Sequence, residues 1–211
     1  LLATGERPAD AQRKVTRDLE RVLCAPEARE MLDWLRTQPL VHADRALGWM
    51  MVHAGLAPKW TSTLAVKHAA EVEQALRGDG FRKLLRHMYG DKPAWSPGLR
   101  GPDRERAIIN VFTRLRYCTP RGRIAFEAKG PPGTQEPGLY PWYAVPGHAE
   151  RDLKIVCGHW SALGLFIGHG VHAIDTGAVW GGKLTALQLD SEDLRIVQVP
   201  GRDVPANPPK R

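Results

Sequence analysis

Two short stretches of this chain carry side chains able to do chemistry together. Residues 50–55 read Met-Met-Val-His-Ala-Gly and residues 155–160 read Ile-Val-Cys-Gly-His-Trp, so His53 and His159 each follow an apolar run and lie beside a glycine. An imidazole at the end of a buried strand is rigidly placed, and an adjacent glycine lets a ligand approach the backbone. Two neutral imidazoles placed this way can share one divalent cation, since histidine is the commonest metal-ligating side chain. The residues by themselves leave two readings open, joint ligation or two hydrogen-bonded structural histidines.

Cationic side chains supply the second chemistry. Trp95-Ser96-Pro97-Gly98-Leu99-Arg100-Gly101 is a stiff loop that would present Arg100 to an anion. Arg114 and Arg116 follow, one at a helix end and one at the next strand start. A guanidinium grips phosphate through two N–H groups, as an ammonium cannot, although pairing with a surface carboxylate is the ordinary alternative. No Walker sequence or dinucleotide fingerprint occurs, and no serine elbow or Cys/His signature argues for a covalent nucleophile.

The elements that must position these residues follow from periodicity. Residues 8–36 read as helical, with a break at Pro26, and Pro39 ends the second piece. A short apolar strand is predicted over 47–52. Thr61 or Ser62 would cap a helix running to Arg77, with Ala65, His68, Val72, Ala75 and Leu76 inward. Residues 81–88 give another helical turn or two, 91–102 are too rich in Pro and Gly to be regular, and 103–115 is helical again. Beyond Arg116, short strands are predicted at 123–126, 153–157, 171–174, 183–189 and 194–199. A long loop fills 130–147, and an extended tail is expected over 201–211. Helices first and strands last indicate an α+β layered fold, with residues 1–200 as one domain.

Composition bounds the partners. The 211 residues are 43% hydrophobic and 25% charged, ordinary globular usage that excludes a disordered tail, a fibre or a coiled coil. No apolar run approaches the roughly 18 residues of a membrane helix, and the opening residues lack the pattern of a signal peptide. A net charge of +7 favours anionic partners, though many soluble enzymes are as basic. Three widely separated cysteines (Cys24, Cys118, Cys157) fit neither a disulfide framework nor a zinc ribbon, and point to a reducing cytoplasm.

At these residues the chain resembles the symmetrical bis(5′-nucleosyl)-tetraphosphatase (diadenosine tetraphosphatase) family, a bacterial branch of the calcineurin-like metallophosphoesterases. The matching stretches are MLDWLRTQPL (31–40), VHAGLAPKW (52–60), HMYGD with WSPGLRG (87–101), NVFTRLRYC (110–118), LYPWY (139–143), CGHW (157–160) and AIDTGAVWGGKLTALQL (173–189). The resemblance implies a calcineurin-like layered fold, sheets flanked by helices. It implies hydrolysis of diadenosine tetraphosphate to two ADP at a pair of divalent metals, manganese or cobalt, with RNA carrying such a dinucleotide cap as a further substrate. By resemblance His53 and His159 are ligands of one of the two metals. Arg100, with Arg114 or Arg116 as substitutes, binds phosphate. Trp180, in the DTG-to-GG turn, packs a base or shapes the pocket.

The family's opening motifs (Asp-x-His-Gly, Gly-Asp-x-x-Asp-Arg-Gly-Pro and Gly-Asn-His-Asp/Glu) do not occur here, and the only asparagines are Asn110 and Asn207. Those motifs carry the bridging carboxylate and the catalytic histidine. The expectation is therefore a fold truncated at its N-terminus, with no catalytic His/Asp motif in this chain and exposed apolar strands where the first third would lie. An inactive remnant that binds nucleotide or a partner is the alternative to an enzyme; the oligomeric state is left open.

Overall fold

Local chemistry starts and stops the helices that frame the site. The computed structural model describes residues 17–191 and 193–203. Two short helices, α1 (Arg17–Leu23) and α2 (Ala28–Leu35), lead to a hairpin of β1 (Val41–Asp44) and β2 (Trp49–Val52). Helix α3 (Ser62–Arg77) is capped by Thr61, whose hydroxyl accepts from the Leu64 N–H at 3.2 Å, satisfying one of the first-turn donors. Helices α4 (Phe81–His87) and α5 (Gly101–Arg114) follow, the latter opening with Pro102 in its first turn, where the missing N–H costs nothing. Next come β3 (Tyr117–Cys118), β4 (Tyr140–Pro141), β5 (Lys154–Cys157), β6 (Phe166–Gly168), β7 (Val171–Ala173), β8 (Lys183–Leu187) and β9 (Ile196–Pro200).

Five of these strands make one mixed sheet in the order β1-β2-β5-β7-β6. Its centre, β2-β5-β7, is parallel, and the edges β1 and β6 are antiparallel to their neighbours. One face presents Met50, Val52, Ile155, Cys157, Val171 and Ala173, all buried. They pack with Ala65, Ala69 and Val72 of α3 and Ile108, Val111 and Phe112 of α5 in a single core. Near-continuous apolar runs in central parallel strands follow from burial on both faces. The other face carries Met51 and Ile167, each about half exposed, beside buried Val156 and His172. The helices and the partly parallel sheet form the layered arrangement of a calcineurin-like α+β fold.

The expected elements and the observed ones differ where pairing is long-range. The strand expected at 123–126 is reduced to an isolated bridge, Ile124 to Cys118, with the Ala125 N–H donating to the Tyr117 carbonyl at 2.9 Å, while the other side of β3 pairs with β4. The 130–147 loop is pinned rather than slack. Its end forms β4 and a 3₁₀ turn at Trp142–Ala144, with Trp142, Tyr143 and Val145 buried. Strands β1 and β6, of four and three residues, are too short to show in the sequence pattern. The helix expected from residue 8 runs partly outside the described residues. Of the tail at 201–211, the part from 204 lies outside them; Gly201 and Arg202 are tied down, donating to the Gly182 and Ala178 carbonyls at 2.8 Å each.

His68 is structural. It sits 4.7 Å from both the Trp60 and Trp95 rings, and Glu71, pulled down to about 2 by the Arg104 guanidinium, hydrogen-bonds its ring.

Candidate active-site edge

Three adjacent parallel strands deliver their carboxyl ends to one edge of the sheet. In register, Val52 of β2 lies opposite Cys157 of β5, and Cys157 opposite Ala173 of β7. The residues just beyond these positions therefore converge: His53 after β2, Gly158 and His159 after β5, and Asp175 two residues past β7. Backbone bonds lock the edge. The Gly158 N–H donates to the His53 carbonyl at 3.0 Å, the Ile174 N–H to Cys157 at 2.9 Å, and the Ala54 N–H to Phe112 of α5 at 2.8 Å. Gly55 is required on steric grounds, since a Cβ there would fall 2.7 Å from the Trp142 indole.

The two imidazoles meet, with ring centroids 5.0 Å apart and planes inclined by 50°. His159 holds a left-handed backbone (φ 66), a conformation uncommon for a residue with a side chain and one that clusters at functional sites. Its Nε2 is buried and has no hydrogen-bond partner, which a folded protein rarely tolerates without a reason. Burial drives the His159 pKa down to about 4, assisted by the Arg116 charge, and burial lowers that of His53 as well. Both rings are thus neutral at pH 7, the state a metal ligand needs. A cleft of about 420 Å³ opens at His53, walled also by Gly158, Met51, Val156, Phe112 and Ile174.

Arg116 stands at the same edge. It weighs on both histidines electrostatically, and its guanidinium makes no hydrogen bond or ion pair with another described residue. Arg114 is committed elsewhere: it bonds Asp91 at 2.8 Å and Asn110 Oδ1 at 3.0 Å, and lies over the Phe126 ring. Arg100 is at the far end of α5, where its guanidinium turns back onto the Pro97 and Leu99 carbonyls. Twelve residues at ~1.5 Å of rise put it about 18 Å along the helix from Phe112, the residue bonded beside His53. The fold therefore gathers His53, His159 and Arg116, engages Arg114 in structure, and leaves Arg100 apart.

Sequence reasoning passed over Asp175. Its carboxylate acts on His53, His159 and Arg116, and its Oδ1 accepts from the Gly177 N–H at 3.1 Å. The signal was available, because Ala-Ile-Asp-Thr-Gly repeats the pattern of an apolar run, a polar residue and a glycine. The turn it starts is heavily braced. Gly182 donates to Gly177 at 3.0 Å and Lys183 to Thr176 at 3.1 Å, so Trp180, 61% exposed, is presented on a stiff support. Among the described residues no group of three or more His, Cys, Asp or Glu is arranged to hold a metal ion. The edge offers two neutral imidazoles and a nearby guanidinium.

A pH dependence follows from the buried rings. His53, His68, His159 and His172 all have pKa values lowered by burial. Below about 6.5 the unfolded chain takes up protons that the folded chain refuses, so stability rises with pH in this window. Urea midpoints should fall steadily as pH drops from 7 toward 4; a flat or rising series would contradict it.

No family model matches the chain. Over 204 residues it is 72% identical to the symmetrical bis(5′-nucleosyl)-tetraphosphatase of Xanthomonas euvesicatoria pv. vesicatoria, covering 97% of this chain and 64% of that protein. The protein of the same name from Xanthomonas axonopodis pv. citri is 70% identical over 210 residues, covering all of this chain and 67% of the relative. That from Xylella fastidiosa strain M23 is 65% identical over 204 residues, covering 97% and 69%. The chain thus spans about two thirds of the length of the curated relatives it matches.

Proposed function

Because this chain belongs to the symmetrical bis(5′-nucleosyl)-tetraphosphatase family, we propose that it supplies part of the active site of a hydrolase. The hydrolase cleaves diadenosine tetraphosphate, and similar dinucleoside polyphosphates, at the middle of the phosphate chain to give two ADP. The observation that carries this reading is the meeting of two neutral imidazoles at the ends of neighbouring strands. One of them keeps a buried, unpartnered nitrogen.

These residues fit a divalent cation as two of its ligands. His53 and His159 would hold it through ring nitrogens that need no deprotonation at neutral pH. Manganese or cobalt suits a mixed imidazole and oxygen donor set. When bound, such ions acidify a water and offset the charge building on the attacked phosphoryl group. This chain's own residues do the rest of the positioning. Arg116, unpaired and set against the histidines, is placed to grip a phosphate oxygen through its fork of N–H groups. Arg114 steadies the turn between α5 and β3 and holds that guanidinium's neighbourhood, and Arg100 would meet only a distal part of a long ligand. Asp175 tempers the charge of Arg116 and, through Gly177, starts the braced turn. Trp180 on that turn offers a flat face on which an adenine can stack. RNA carrying a dinucleotide cap presents the same polyphosphate and is proposed as a further substrate.

No helix of the described residues is long and apolar enough to cross a membrane. Cys118 and Cys157 are buried thiols raised to about 12, and Cys24 is free as well. That chemistry supports a reducing cytoplasm as the site of action.

The test is a chimera in which this chain replaces the matching segment of the Xanthomonas euvesicatoria relative. With Mn²⁺ it should release ADP as the sole nucleotide product from diadenosine tetraphosphate. The 211-residue chain alone should show no metal-dependent turnover, because two imidazoles leave a hard cation underligated. AMP plus ATP as products, or turnover by the chain alone that a chelator abolishes, would contradict the reading.

A further inference from the structure

Helix α4 breaks the usual pattern of a solvated surface helix. Its sequence, Phe-Arg-Lys-Leu-Leu-Arg-His, holds four basic-type side chains and no acidic one. At 100° per residue, Phe81, Leu84, Leu85 and Met88 fall on one arc; Leu84, Leu85 and Met88 pack into the core, and the Phe81 ring lies under Arg36. Arg82, Lys83, Arg86 and His87 occupy the opposite arc and are all exposed. Among the described residues none of the four has a carboxylate partner, and the only interaction of their charged groups there is Arg82 lying 5.3 Å from the Phe81 ring.

Electrostatics by itself disfavours this arrangement. Arg82 and Lys83 stand in the first turn, against the positive end of the helix dipole, where each cation costs a fraction of a kcal/mol. A surface helix normally offsets such charges with Glu or Asp four residues away, and α4 has none. Asp79, in the turn before it, is the one acidic residue close in sequence.

The surroundings bound the cationic face. Arg36, paired with Asp33 at 3.0 Å, lies 4.4 Å over the Phe81 ring on the apolar side of α4. Tyr89, 67% exposed, follows the helix directly. The backbone beyond is fastened along α5, with Arg106 bonding the His87 carbonyl at 2.7 Å and Asn110 bonding that of Gly90 at 2.8 Å. From there Arg114, paired with Asp91, leads on to unpaired Arg116.

We infer that the exposed face of α4, Arg82, Lys83, Arg86 and His87 with Tyr89 at its end, binds the phosphodiester backbone of single-stranded RNA. Cations in a row follow phosphates, and an exposed aromatic beside them stacks a base without regard to sequence. Membrane insertion is disfavoured because the apolar arc of α4 is spent on the core. A duplex is disfavoured because a seven-residue helix, about 10 Å long, offers no element to enter a groove. RNA is the single strand that a cell holds in bulk. The inference stands apart from the hydrolytic reading: its failure leaves His53 and His159 untouched, and theirs leaves α4 untouched.

Fluorescence anisotropy of a labelled single-stranded RNA decamer with the intact 211-residue chain tests it. Engaging three or four phosphates predicts a log Kd against log salt slope of about 2–3. The triple variant Arg82→Gln/Lys83→Gln/Arg86→Gln should weaken binding at least tenfold and flatten that slope. A charge-matched control, Lys67→Gln/Arg121→Gln/Arg195→Gln, should bind within about twofold of the parent; the circular dichroism of both should be unchanged. Equal losses in the two variants would reduce the effect to net charge and overturn the proposal. So would tighter binding of the matching DNA single strand, of duplex RNA or of phosphatidylserine vesicles.

Discussion

Changing His159 to Ala in the chimera should lower manganese-dependent ADP release by more than ~100-fold. Loss even of outer-shell support to a metal ligand costs 10- to 100-fold, and here the proposed ligand itself disappears. His53→Ala should behave alike, and the double variant should be scarcely worse than either single one. Groups that serve one ion act as a unit, so their losses do not add. The geometry makes this expectation specific: the rings lie 5.0 Å apart on strands paired in register, so one cation can reach both. Raising the Mn²⁺ concentration should recover part of the rate in the single variants. Near-normal turnover in either one, with folded protein by circular dichroism, would remove the physical basis of the assignment.

The largest stability effect is expected at Trp142, inside a stretch that composition alone marks as loop. Trp142 is 1% exposed. Its backbone N–H donates to the Arg116 carbonyl at 3.0 Å, and its indole fills the space against Gly55. The Arg151 guanidinium lies 5.4 Å from that ring and also donates to the Trp60 and Ala57 carbonyls. Trp142→Ala should cost about 3–5 kcal/mol through lost burial and the cavity left behind. That is a large share of the ~5–15 kcal/mol that holds a domain together. At a typical urea m-value the midpoint should fall by about 1–2 M. Trp142→Phe should keep more than half of the stability difference. A loss below about 1 kcal/mol for the alanine variant would show that the segment at 130–147 is not anchored through this residue. Because Trp142 touches the turn carrying Arg116 and packs beside the His53-Ala54-Gly55 corner, the same substitution should also loosen the active-site edge.

Much of the frame could be read before any coordinates. Thr61 as a cap, the inward row Ala65, His68 and Val72, and the apolar strands at 49–52, 154–157 and 171–173 all follow from local rules of periodicity and capping. These elements contain their own explanation, since a helix stripe or a continuous apolar strand is decided by neighbours in sequence. The misses share one cause. Strand β3 takes its ladder partner from β4 and leaves residues 123–126 a single bridge, and β6 exists only because β7 runs beside it. Strands of two or three residues carry no periodic signal, and their pairing is settled by what lies across the sheet.

The site divides along the same line. The pattern of an apolar run ending in histidine beside glycine was enough to single out His53 and His159, and residue type alone made them candidate ligands. Whether they meet was not a local property: it depends on β2 and β5 being neighbours, parallel and in register, which only tertiary packing decides. The arginines show this most plainly. Arg100, Arg114 and Arg116 are equivalent as charges in a sequence, yet α5 carries the first about 18 Å away. Asp91 and Asn110 claim the second, and the third is left unpaired beside the histidines. Residue chemistry determines what each side chain can do; the free energy of packing determines which of them are left free to do it together.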